Sequence, residues 1–126
     1  MTANEFKART KRFAVRVMRL SDSLRCGRSV EVVSKQLIRS ATSVGANYRS
    51  ACRARSAAEF QAKLGIVEEE ADESKYWIEL LVDGGYVKGS LVAGLLNEID
   101  EITAMVVASI KTSRRRTFPA HKRVSR

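Results

Sequence analysis

Proline is almost missing from this 126-residue chain; the single one, Pro119, lies near the C-terminus, so no proline interrupts a helix before it. Aromatic residues make up only 6%, and Ala, Leu, Glu, Arg and Lys dominate, a mix that suits helices better than strands. Histidine occurs once, at His121, which leaves the rest of the chain without the usual general base and metal ligand. Cys26 and Cys52 lack metal-ligand or C-x-x-C spacing and read as free thiols of a reducing compartment. No apolar run approaches the roughly 18 residues of a membrane span, and MTANEFKARTKRF has no hydrophobic signal core. The expectation is a soluble, cytoplasmic protein that does not meet the membrane. Its length fits one domain that buries its core without metal or disulfide.

Negative charge is also scarce. The formal net charge is +9, and the signs are segregated. Residues 1–28 carry eight Lys/Arg against two acids, and 29–55 carry five against one. Residues 56–90 reverse this with three against eight, and 91–126 return to seven against three. An acidic segment in a basic molecule suits pairing within or between subunits, while the excess favours polyanions.

What is present is helical periodicity. Thr2 and Glu5 have capping-box spacing, and Phe6, Thr10, Phe13, Val17, Leu20 and Leu24 then recur every three or four residues, predicting a helix over about 4–25. A second, about 30–53 and capped by Ser29, turns Val30, Val33, Leu37, Ser40, Val44, Asn47 and Ala51 inward. Its middle is slim, and the roughly 1 kcal/mol cost of Gly45 points to close approach by a neighbouring backbone. A second capping box, Ser56–Glu59, starts a third helix over about 57–83, with the stripe Phe60, Leu64, Val67, Ala71, Ser74, Ile78, Leu81 and a stop at Gly84-Gly85. The fourth, about 91–113, presents Leu91, Leu95, Ile99, Ile102, Val106 and Ile110. Residues 114–126 read as a flexible basic tail. Long helices with short links predict an all-α fold, an antiparallel up-down-up-down four-helix bundle spanning 1–113.

Four polar residues break the stripes: Arg39, Asn47, Glu70 and Glu73. Counted back from the turn near residue 55, Arg39 and the Glu70–Glu73 pair lie at the same height on antiparallel helices. The expectation is a partly buried structural cluster that penalises wrong registers, and loss of Arg39 is expected to destabilise the fold substantially. Paired carboxylates also serve metals in bundles, but those sites use Glu-x-x-His motifs that this chain lacks. No phosphate loop and no nucleophile–base pair is present. No catalytic, cofactor or metal residue is assigned, and no enzymatic activity is expected.

The cations form three groups. Lys11, Arg12, Arg16 and Arg19 lie on the outer face of the first helix. Arg53 and Arg55, next to Arg49, sit at the turn between the second and third. Arg114, Arg115 and Arg116 follow the fourth. Singly these are ordinary solvated charges. Together they have the footprint of salt-sensitive, weakly sequence-specific contact with nucleic-acid phosphates.

The run Gln36-Leu37-Ile38-Arg39-Ser40-Ala41-Thr42-Ser43-Val44-Gly45-Ala46-Asn47 resembles the "Q-L-x-R-S-A-x-S-V-x-A-N" helix of proteins encoded in intervening sequences of bacterial 23S ribosomal RNA genes. The resemblance continues through Glu69-Glu70-Ala71-Asp72-Glu73-Ser74 and Tyr76-Trp77-Ile78-Glu79-Leu80-Leu81. Ser50 departs from it, since the family shows an acidic residue after its Asn segment. The resemblance implies an up-down bundle assembled as a homopentamer, with no known enzymatic activity. Related bundles that accompany diversity-generating retroelements bind nucleic acid and a reverse transcriptase. A pentamer would account for apolar residues off the stripes, such as Val15, Met18, Ile66, Trp77 and Val107. Two functions compete: an oligomeric nucleic-acid-associated protein contacting RNA or DNA, and a scaffold or accessory subunit whose partner is another protein.

Overall fold

The computed structural model describes residues 1–117, with side chains through Arg116. Four helices follow in order: α1 (Ala3–Ser23), α2 (Arg28–Cys52), α3 (Ala57–Asp83) and α4 (Gly89–Thr117). Consecutive helices pack on one another, α2 and α3 most extensively, and the slim α1–α4 seam closes the bundle. The all-α, up-down architecture expected from the periodicity is the one observed.

The ends follow local chemistry, with some departures. Thr2 and Glu5 form the full capping box. Ser56 Oγ accepts from the Glu59 amide at 3.0 Å, but the Glu59 carboxylate reaches back to the Arg55 amide, so only half of the second box forms as expected. Ser29 does not cap α2; that helix begins two residues earlier than expected, after Gly27, with no side-chain cap. At the α3 terminus the Tyr86 amide bonds to the Leu81 carbonyl and the Gly85 amide to that of Val82. Gly85, at φ 79°, supplies the left-handed residue that this Schellman ending needs.

The core is the set of stripes. Phe13, Val17, Leu37, Val44, Leu64, Val67, Ile78, Leu81, Ile99 and Ile102 are fully buried or nearly so. In α4 an inner position moves: Leu91 is 72% exposed and Val92 takes its place. Val92, Leu95, Ile99 and Ile102 keep the three-four alternation, whereas Leu91 to Leu95 to Ile99 steps by four twice and drifts off the face. Helix α4 also runs on past 113, so Arg114–Arg116 belong to its last turn and not to a tail. The remainder of the expected tail, from residue 118, lies outside the described residues.

Ser40 and Ser74 meet deep in the α2–α3 interface, with Ser74 Oγ 2.9 Å from both Ser40 Oγ and the Glu70 carbonyl oxygen. Small hydroxyls there let the two helices approach without stranding a polar group.

Candidate nucleic-acid interface

Antiparallel packing decides which charges meet. The start of α1, the end of α2, the start of α3 and the end of α4 share one pole. Phe6 packs edge-on against Tyr48 at 4.6 Å between ring centres, and Gln61 Nε2 donates to Ser113 Oγ at 3.0 Å. Met1 and Thr2 flank the same hollow as Ala108 and Ser109. Burial pushes the Tyr48 phenol up to about 12, with help from a hydrogen bond with Cys52.

Lys11 from α1, Arg53 and Arg55 from the α2–α3 turn, and Arg114, Arg115 and Arg116 from α4 therefore collect at this pole from three separate parts of the chain. Lys11, Arg53 and Arg55 make no side-chain ion pair with any described residue. Arg12, Arg16 and Arg19 do not join them. They climb α1 towards the other pole; Arg12 and Arg16 lie beside α4, where they help to keep Glu98 ionised, and Arg16 approaches Gly94. The expected basic face thus divides into a cationic pole and a stripe along the α1–α4 seam.

Two cationic residues in the same region, Lys7 and Arg49, stand outside the six candidates at this pole. They face each other across a groove between α1 and α2. The signal for them was available, since Lys7 and Lys11 are spaced i, i+4 and the small residues of α2 foretold close approach. What linear reading lacked was the pairing of the two helix faces.

The polar cluster forms at the expected height. Arg39 Nη1 lies 3.0 Å from Glu70 Oε2, Nη2 bonds Glu70 and Glu73, and the Trp77 indole donates to Glu73 at 3.1 Å. These bonds hold Glu73 below the usual carboxylate range, the indole contributing most, and hold the Arg39 guanidinium above its own ordinary value through Glu70 and then Glu73. The cluster is partly buried, as expected: the Arg39 side chain is 48% exposed and Glu70 beneath it 15%. One expectation needs correction. Asn47 is not part of it; its amide donates to the Ser43 carbonyl within α2 at 2.9 Å. Of the off-stripe apolar residues, Val15, Met18 and Ile66 are exposed, whereas Trp77 and Val107 are half-buried.

Sequence reading missed a second ion cluster. Arg9 on α1 holds Glu98 and Glu101 on α4, at 2.6 Å from each through Nε and Nη2. Lys75 Nζ also meets Asp100 at 2.9 Å between α3 and α4. No group of three or more His, Cys, Asp or Glu among the described residues is placed to hold a metal ion. No helix among them is long and apolar enough to cross a membrane.

The family model described as 23S rRNA-intervening sequence protein matches residues 3–108. The chain belongs to that family. Among solved structures, a protein of unknown function from the S23 ribosomal protein family of Bacteroides thetaiotaomicron is similar, with a TM-score of 0.79 and 37% identity. The match covers 88% of this chain and 99% of that one. No curated protein matches. The motif through Arg39 and Asn47 that suggested the family lies in α2, inside the matched range, and the fold it implied is the fold observed.

Proposed function

We propose that this member of the 23S rRNA-intervening sequence protein family is a non-enzymatic, oligomeric, nucleic-acid-associated protein of the cytoplasm, and that RNA is its ligand. The observation that carries the reading is the convergence at one pole of cations from three distant chain segments, several without any internal partner. Such a surface attracts phosphates whatever their sequence, and its affinity falls with salt as counterions are released. A homo-oligomer, a pentamer on the family resemblance, would repeat the pole around its axis and multiply the attraction through avidity.

The test is titration of a labelled mixed-sequence RNA from 50 to 300 mM salt with wild-type protein and an Arg115→Ala/Arg116→Ala variant. The expected result is a steep salt dependence, and a variant that binds more weakly with a shallower slope. Salt-independent binding, or none, would refute the reading.

The scaffold alternative draws on the exposed Tyr76 and Leu80, one turn apart on α3. A partner retained from nuclease-treated lysate and lost in a Tyr76→Ala/Leu80→Ala variant would favour it.

A further inference from the structure

Within the cationic pole, we propose that the groove between α1 and α2 seats the sugar–phosphate backbone of a single nucleic-acid strand. The proposal rests on the nucleic-acid reading above and gives it a place. The groove has a volume of about 430 Å³. Its floor is built of residues with almost no side chain, Ala8, Ala14, Gly45 and Ala46. It exists because α1 and α2 come unusually close: a Cβ at position 45 would lie 3.1 Å from Thr10 Oγ1.

Cations stand on both walls, Lys7 and Lys11 on α1 and Arg49 on α2. None of the three has an ion-pair partner among the described residues. Lys7 and Lys11 are one helical turn apart, about 6 Å between Cβ atoms, so positive charge repeats along the slot.

The lining argues for a backbone over other occupants. It contains no aromatic ring on which a base could stack, so contact with a strand would run through its phosphates alone. Small-floored and cationic on both walls, it suits a thin, uniformly charged ligand that is read by charge and shape alone.

The experiment measures binding of single-stranded and duplex RNA, across salt, to wild type and two groove variants. Ala46→Gln fills the slot without changing charge on an exposed helical position. Lys7→Gln/Lys11→Gln/Arg49→Gln removes the wall cations. Circular dichroism and light scattering report fold and assembly. The expected result is that Ala46→Gln weakens single-strand binding several-fold with fold and assembly unchanged. The triple variant should lower the slope of log affinity against log salt by about 2, at roughly 0.7 per lost phosphate contact.

Unaltered binding by Ala46→Gln, with loss in Arg115→Ala/Arg116→Ala, would overturn the groove and leave the pole as the interface. No RNA binding by wild type would remove both readings. A change of assembly in Ala46→Gln with RNA affinity intact would make the groove a subunit contact. Duplex RNA competing as well as single strands would refute single-strand seating.

Discussion

Arg9 and Glu98 are clasped by two parallel bonds across the α1–α4 seam, Nε to Oε2 at 2.6 Å and Nη2 to Oε1 at 2.8 Å. Glu101 accepts a further bond from Nη2, and Asn97 holds Glu101 in turn at 2.7 Å. The seam is the slimmest in the bundle, so its apolar contribution is small and this polar fork matters in proportion. The Arg9 and Glu98 side chains are only 15% and 18% exposed. Arg9→Ala is expected to cost about 1–3 kcal/mol, from lost charge-assisted bonds and the largely buried Glu98 carboxylate left without its bonded partner. Arg9→Lys should recover only part, because an ammonium cannot reproduce the fork. Thermal melts check this; an unchanged midpoint for Arg9→Ala would show the clasp to be energetically idle.

The same clasp sets a pH dependence. Hydrogen bonding to Arg9 holds the Glu98 carboxyl below its ordinary value. A carboxyl depressed on folding stabilises the fold above its unfolded value, about 4.3, and that contribution is lost as pH falls through the folded value. Arg9 is held above its ordinary range and stays charged throughout. Melting midpoints should therefore drop as pH falls below about 4.3, and Glu98→Gln should flatten that drop. Parallel acid profiles for the two proteins would rule Glu98 out as the titrating group.

The contrast between Arg9 and Arg39 shows what can be read from a linear chain. Arg39 and the glutamates at 70 and 73 flank one short turn, so counting residues outward from it places them opposite each other, as observed. Arg9 and Glu98 stand on the first and last helices, with no shared turn to count from, and only the closed bundle brings them together. The same distinction runs through the candidate site. The cations at the α2–α3 turn were legible as a group, but their union with the end of α4 needed the up-down topology. The division of the α1 cations into a pole and a seam stripe needed the rotation of α1 about its axis. Periodicity gives the apolar face of a helix well along its middle and the azimuth of each charge poorly; at the α4 start, where a single step of three or four decides the face, it leaves Leu91 and Val92 hard to tell apart.

Exposure revises the expectation for Arg39. Its guanidinium is half open to water, unlike that of Arg9, and of its two partners Glu73 is 36% exposed and only Glu70, at 15%, is largely covered, so the Arg39 bonds are the better screened by solvent. Arg39→Ala should lower the melting midpoint less than Arg9→Ala does, and the difference from wild type should shrink as salt rises. A larger effect than that of Arg9→Ala would restore a buried-cluster account.

The Ser40–Ser74 contact constrains size more than polarity. Both residues are fully buried, and Ser40 Oγ also lies 3.1 Å from the Leu37 carbonyl oxygen. Ser74→Ala removes one hydroxyl and leaves Ser40 satisfied by its own helix, so the expected loss is about 1 kcal/mol. Ser74→Leu must force α2 and α3 apart where they share their largest interface, costing about 1–3 kcal/mol or more. Denaturant melts of the two variants check the order. If leucine were tolerated as well as alanine, the close approach would not be a packing constraint.

Two helical glycines, alike in sequence terms, should respond in opposite ways to alanine. At Gly65 an added Cβ meets nothing within 4 Å, so Gly65→Ala keeps every contact and relieves the entropy cost of glycine in a helix. Its expected gain is up to about 1 kcal/mol. At Gly45 the added Cβ would lie 3.1 Å from Thr10 Oγ1, a hydroxyl that is fully buried and held at 3.0 Å by the Lys7 carbonyl oxygen. Thr10 cannot turn aside without giving up that bond, so α1 must shift outward and the helical gain is spent. Gly45→Ala should therefore melt below Gly65→Ala and at or below wild type. Because the shift would also deform the α1–α2 groove, Gly45→Ala should weaken RNA binding while Gly65→Ala leaves it alone. Equal stabilisation by the two substitutions would mean that α1 and α2 are not held as close as Thr10 and Gly45 indicate.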